Sequence, residues 1–336
     1  MRIAIYGAGS LGTILGAYLA KGGVEADLIT RNKEHIAALR ANGAKVVGKV
    51  EFTVPVKALL PNQMEGGYDL IFLLTKQGEN HSVAQFLKQY LASDGMLCTM
   101  QNGLPEPALI EILGKKRVSG CAIGWGATIQ GPGISELTSE KDSLTFSLGM
   151  MGDPDQESLE RIATILRTMG TVGIEKNFVG ARWSKLLINT AFSGMATVIG
   201  GTFGDVVDTK EARALVQKIM KECMDSAQAL GVTFEPVQGK DIVKLFNYSG
   251  VIKKWISFHL IPLAMKKHRK LKPSMLQDIE KDKKCEVEAI NGVLSEQAKK
   301  AGVPTPTNDK VIEIIHLIEK GELHPERSNL KLFAGL

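Results

Sequence analysis

Cysteine and histidine are scarce in this 336-residue chain. The four cysteines (Cys98, Cys121, Cys223 and Cys285) stand far apart, no CxxC pair occurs, and only six histidines accompany them. That spacing excludes a disulfide framework and offers no zinc-ligand pattern, so no metal site is expected. Free thiols in a reducing cytoplasm are expected instead. Charge of one sign is not in excess either: 41 Lys and Arg face 36 Asp and Glu, a net charge of +5. A balance this mild is no nucleic-acid footprint, although it suits anionic small molecules. The basic run Lys266 to Lys272 reads as solvated surface. The nearly uncharged stretch at residues 3–20 has one flanking Arg2 and no cleavage-site pattern, and Gly7, Gly9, Gly12 and Gly16 punctuate it. Neither a signal peptide nor a membrane segment fits, and no membrane partner is expected. A buried strand followed by a covered helix fits better.

What is present is a change of pattern along the chain. Apolar strand-like runs at 2–6, 24–30, 69–75 and 96–100 alternate with helical patterns at 10–21, 33–42, 79–92 and 105–113. Alternation of this kind implies crossover connections and a parallel sheet. Residues 45–57 are strand-like between Gly and Pro. Residues 119–149 are rich in Gly, Ser and Thr, and strand-like stretches at 121–129 and 143–148 are expected to finish the same sheet with antiparallel strands. A helix at 156–169 and a strand at 171–175 close an α/β Rossmann-type N-terminal domain, residues 1–177. From there the periodicity is helical only, at 180–199, 209–230, 237–247, 250–266, 275–301 and 306–320, which makes residues 178–336 an all-α C-terminal domain.

The first turn reads Gly7-Ala8-Gly9-Ser10-Leu11-Gly12, a GxGxxG between a strand and a helix. Gly7 permits the tight turn, Gly9 lets a pyrophosphate approach the backbone, and Gly12 lets helix and strand pack. Glycine-rich turns also arise for packing alone, but here the helix N-terminus adds free N–H groups and a positive dipole. A dinucleotide is the expected cofactor. Its type is read after the second strand, where Leu28-Ile29-Thr30-Arg31-Asn32-Lys33 carries no acid to accept from a ribose 2′-OH. Arg31 can instead pair with a 2′-phosphate, so NADP (NADPH) is expected. Lys76 and Asn102 each follow a strand end, where open α/β sheets bind ligands. The former can add charge near the 2′-phosphate, the latter can bond the nicotinamide ribose or the substrate.

Further along stand Arg182-Trp183-Ser184-Lys185-Leu186-Leu187-Ile188-Asn189, then Ser274-Met275-Leu276-Gln277-Asp278, then Glu286 to Asn291-Gly292. These segments resemble, in order and spacing, the W-x-K-L-x-x-N, S-M-x-Q-D and E-x-x-x-x-N-G segments of the ketopantoate reductase family. The resemblance also takes in the glycine-rich turn, Arg31, the Lys76 strand end, the Gln101-Asn102-Gly103 turn and Gly302-Val303-Pro304-Thr305-Pro306. It implies a helical domain like the C-terminal domain of 6-phosphogluconate dehydrogenase, and NADPH-dependent reduction of a small 2-oxo acid by a monomer or homodimer. On this resemblance Lys185 is the general acid and Glu286 pairs with it or accepts from a substrate hydroxyl and the cofactor. Ser274, Asn189, Ser193 and Asn102 hold substrate. Lys185 and Asn189, four apart, share a helix face, and burial would lower a lysine's pKa toward neutrality. Two positions depart from the family pattern: Ser193 and Leu271 stand where members carry asparagine. They leave open a related branched 2-oxo acid as substrate. A non-catalytic NADP(H)-sensing protein is a further alternative, although a sensor needs neither Lys185 nor Glu286.

Overall fold

The computed structural model describes residues 1–237 and 239–336. Met1–Gln101 and Pro105–Phe178 form one compact unit, and Asn102–Leu104 with Val179–Leu336 form the other.

The first unit holds twelve strands: β1 (Ile3–Tyr6), β2 (Asp27–Ile29), β3 (Ala44–Gly48), β4 (Phe52–Val54), β5 (Lys57–Leu59), β6 (Tyr68–Leu73), β7 (Leu91–Thr99), β8 (Val118–Ile123), β9 (Ala127–Gly131), β10 (Ile134–Leu137), β11 (Thr145–Gly149) and β12 (Thr171–Ile174). Its helices are α1 (Ser10–Lys21), α2 (Lys33–Asn42), α3 (Asn80–Lys88), α4 (Glu106–Leu113) and α5 (Gln156–Leu166). Eight strands form the main sheet in the order β12-β11-β8-β7-β6-β1-β2-β5. From β5 to β8 every pairing is parallel, β11 runs antiparallel to β8, and β12 parallel to β11. The chain leaves β1 on one side to make β2 and returns on the other as β6. Its carboxyl end is therefore a topological switch point, the place where such sheets bind ligands.

The sheet differs from expectation in two ways. β8 is parallel, so only β11 and β12 reverse direction. And β3, β4, β9 and β10 leave the main sheet to form a second, four-stranded one in the order β4-β3-β10-β9. This small sheet packs on α1, which is why α1 buries Gly12, Thr13, Ile14, Leu15, Gly16, Ala17 and Leu19 with little amphipathic bias. A helix covered on two faces must be apolar nearly all round. That accounts for the uncharged stretch at 3–20. Buried His35 on α2 ties the layers together: its Nδ1 accepts from Gly133 N at 3.1 Å, which leaves Nε2 to donate to Thr13 Oγ1 at 2.9 Å. α3 also ends earlier than its pattern suggests, at Lys88, because Leu91 already opens β7.

The second unit is helical: α6 (Phe178–Ile188), α7 (Gly194–Ile199), α8 (Phe203–Asp208), α9 (Lys210–Ala229), α10 (Ile242–Phe246), α11 (Val251–Ala264), α12 (Ser274–Ile279), α13 (Val293–Lys300) and α14 (Pro306–Glu319). α9 runs through its core, burying Leu215, Val216, Ile219, Met220 and Cys223. The helix expected at 237–247 is confined to α10, and Gln238 lies outside the described residues. The helix expected at 275–301 is broken. α12 closes in a Schellman arrangement, with Lys283 N bonded to Asp278 O at 2.9 Å and Asp282 N to Ile279 O at 3.0 Å. Asp282 takes the left-handed position at φ 52°. Glycine is the usual residue there; aspartate tolerates it, and so the stop carries no glycine signal. The run 180–199 is continuous but holds a wide π-turn at Asn189–Ser193, and a second π-turn spans Glu288–Gly292 ahead of α13.

Candidate functional site

The end of β1 builds the first half of the chemistry. Gly7 has φ +101°, and a Cβ there would stand 2.6 Å from the backbone of Leu74 and Thr75. Only glycine fits between β1 and the end of β6. A Cβ on Gly12 would meet Gly7 O at 2.6 Å, whereas one on Gly9 would meet nothing within 4 Å. The open side of the turn thus lies at Gly9, where the pattern requires room for a pyrophosphate. No side chain caps α1, and its first turn holds no acid, so its orphan N–H groups and dipole remain available to an anion. Ala8, Ser10 and Leu11 complete this turn.

Beside it lies a cavity of about 600 Å³ lined by Tyr6, Gly7, Gly9, Ile29, Thr30, Arg31, Pro61, Leu74, Thr75, Lys76, Gly78, Glu79, Ser82, Val83 and Phe86. The structure brings the glycine turn, Arg31 and Lys76 together on this cavity. It also brings in Glu79, which the pattern of β2 could not reveal because it arrives from the strand on the other side of β1. Arg31 Nη2 donates to Glu79 Oε2 at 3.0 Å. The acid of β2 itself, Asp27, sits at the opposite end of that strand, buried, accepting from Tyr68 Oη at 2.7 Å and paired with Lys57 at 3.0 Å.

Gln101, which opens the Gln101-Asn102-Gly103 turn, gains a specific part. Buried at the end of β7, its Nε2 donates to Thr75 O and to Asn80 Oδ1, both at 2.7 Å, while Asn80 Nδ2 donates back to its Oε1 at 3.1 Å. This reciprocal amide pair fixes the chain just before Lys76 and just before Asn102. Asn102 itself, half-buried, belongs with the helical unit.

In the helical unit the first π-turn touches both the second π-turn and α12. Lys185 is half-buried on α6, whose rotation is set by Trp183, edge-on to Phe234, and by Ser184 Oγ, which donates to Glu235 O at 2.7 Å. Asn189 opens the first π-turn and buried Ser193 closes it. Glu286, half-buried, lies just ahead of the second π-turn, and the two π-turns pack together. Asn291 joins them: its Nδ2 donates to Thr190 O at 3.0 Å and to Asn308 Oδ1 at 2.8 Å, and Asn308 Nδ2 returns a bond to Asn291 O at 2.9 Å. Gly194 allows the approach, since a Cβ there would come within 3.0 Å of Asn291 Nδ2 and 2.9 Å of Val311. Ser274 is exposed at the start of α12, which packs on α7 and the first π-turn. Leu271 is exposed as well. π-turns shift the facing of every side chain after them and concentrate at functional sites.

Two family models divide the chain. One, described as ketopantoate reductase PanE/ApbA, matches residues 3–149, and the other, ketopantoate reductase PanE/ApbA C terminal, matches residues 177–319. The chain belongs to the ketopantoate reductase family. As a ketopantoate reductase family member it is an oxidoreductase that uses a nicotinamide cofactor. A 2-dehydropantoate 2-reductase of Mesorhizobium japonicum is 27% identical to it, with 96% of this chain and 99% of the relative covered. One from Pyrococcus abyssi is 26% identical, covering 92% and 94%. Among solved structures, D-mandelate dehydrogenase with NADH and anilino(oxo)acetate superposes with a TM-score of 0.82 at 23% identity, covering 96% of this chain and 99% of that one. A PanE/ApbA family ketopantoate reductase from Ralstonia eutropha JMP134 gives 0.80 at 24%, covering 96% and 100%. These two likenesses establish the fold. Among the described residues no helix is long and apolar enough to cross a membrane, and no His, Cys, Asp and Glu group could hold a metal ion.

Proposed function

We propose that this chain reduces 2-dehydropantoate to (R)-pantoate with NADPH. The observation that supports the reading is the pairing of the two π-turns through Asn291, which ties the turn that follows Lys185 to the turn that follows Glu286. The cofactor side fits as well: Gly7, Gly9 and the uncapped α1 receive the pyrophosphate, Pro61, Val83 and Phe86 offer an apolar wall for a purine, and Arg31 with Lys76 receives the 2′-phosphate. The reduced nicotinamide, when bound, supplies the hydride that the 2-oxo carbon accepts. Lys185 donates a proton to the carbonyl oxygen and stabilises charge developing there. Glu286 accepts from a substrate hydroxyl. Ser274 bonds the carboxylate, and Asn189, Ser193 and Asn102 orient the substrate. A carboxylate such as Glu286 beside an anionic acid is tolerated only with a cation and hydroxyl donors near it, which is the part assigned to Lys185.

A second reading, reduction of another branched 2-oxo acid, is favoured by one observation: Ser193, which stands where the family carries asparagine, is 7% exposed and so reshapes a closed environment rather than open surface. Purified protein with NADPH and a panel of 2-oxo acids separates the cases. Turnover with 2-dehydropantoate supports the first, turnover only with other acids supports the second, and cofactor binding without turnover of any acid overturns both in favour of a sensor.

A further inference from the structure

The Arg31–Glu79 contact sits at the point where NADPH and NADH differ. Both side chains are largely in solvent, at 74% and 57% exposure, and both line the cavity that begins at Gly7 and Gly9. An ion pair this exposed adds little to stability, so its consequence is for what enters the cavity. A 2′-phosphate is close to a dianion at neutral pH. To reach Arg31 it must displace or crowd a carboxylate that already accepts from the same Nη2. A ribose 2′-hydroxyl carries no charge, and a carboxylate is the acceptor such a hydroxyl seeks. The two side chains therefore pull in opposite directions: Arg31 favours the phosphorylated cofactor, Glu79 the unphosphorylated one. Their origins also differ. Arg31 follows β2, while Glu79 ends the single 3₁₀ turn Gln77–Glu79 behind Lys76, so either can be changed without the other. Asp27 cannot play this part, being buried and engaged at the other end of its strand.

We propose that Glu79 is a specificity-determining residue that narrows the chain's preference for NADPH over NADH. The inference rests on the reading of Arg31 as the 2′-phosphate group. It is tested by titrating NADPH and NADH fluorescence with the wild-type protein, with E79Q and with R31A. Removing one negative charge a few ångströms from a dianion is expected to tighten NADPH by about tenfold at low salt. NADH should hold or weaken, so the NADH-to-NADPH ratio of Kd values rises about tenfold or more in E79Q. The gain should shrink in 0.5 M salt, roughly the regime in which a surface charge is screened within ~4 Å. E79A, which deletes the carboxylate without supplying an amide, should move the ratio the same way. Ratios unchanged in both Glu79 variants, with R31A still losing NADPH selectively, overturn the role of Glu79 and leave that of Arg31 intact. Equal losses of both cofactors in R31A overturn the Arg31 reading and the inference with it.

Discussion

The two units present their candidate sites in different ways. In the first, the turn at the heart of the cavity is backbone: a left-handed glycine, an open glycine, and the uncapped amides of α1. In the second the candidates are side chains, carried on or beside helices whose regular turn is interrupted twice among the described residues. A backbone site depends on residues without side chains at fixed spacing, so the spacing itself announces it. A side-chain site depends on the angular phase of each helix, and a single wide turn resets that phase without leaving a mark in the hydrophobic period.

Substitutions can break this comparison by showing that the two sites are not separable. The largest expected effect is that of Lys185→Ala, with kcat lowered by about 10²-fold or more, as for a lost proton donor, while NADPH titrates as in the wild type. Turnover at the wild-type rate removes Lys185 from the mechanism. Gly7→Ala should do the reverse, abolishing measurable cofactor binding. Its new methyl has no room against Leu74 and Thr75, and φ +101° is strained for alanine, a combined cost of about 2–4 kcal/mol. Near-normal binding with unchanged urea midpoint contradicts the turn's role. Asn291→Ala should cost about 1–3 kcal/mol by leaving Thr190 O and Asn308 Oδ1 without their donor, and should lower kcat without altering the Kd for NADPH. A stability loss with unchanged kcat separates the π-turns from catalysis.

The smallest effect sharpens the comparison through pH. Burial lowers the pKa of His35 from 6.5, and Nδ1 is committed as an acceptor from Gly133. The unfolded chain takes up a proton near pH 6.5 and the folded one only at lower pH. Stability from this group is therefore complete above pH 6.5 and declines as pH falls below it. Thermal melts between pH 7.5 and 5.5 should show a shallower decline for His35→Gln than for the wild type. Equal slopes assign the decline to other groups.

How far the sequence was legible follows the same division. The β1 turn, Arg31 and Lys76 could be read from spacing, and the structure places them on one cavity. The helical unit's candidates came from resemblance, because Lys185 and Glu286 are separated by a hundred residues of ordinary helical pattern. Three features escaped for physical reasons. Glu79 reaches Arg31 across the sheet, and no local pattern encodes that. The small sheet of β3, β4, β9 and β10 pairs segments from distant parts of the chain, so its strands looked like the edge of the main sheet. The stop after α12 was hidden because aspartate, rather than glycine, holds the left-handed position.

The enclosure of α1 between two sheets bears on how cofactor choice can change over time. Nearly every residue of that helix is hemmed in, so altering it disturbs folding before it alters binding. Drift in cofactor choice is thereby directed to the exposed rim, to positions such as 31 and 79, where a substitution can remove a charge and leave the scaffold untouched. A protein of this plan can adapt to a different pool of reducing equivalents without rebuilding its interior.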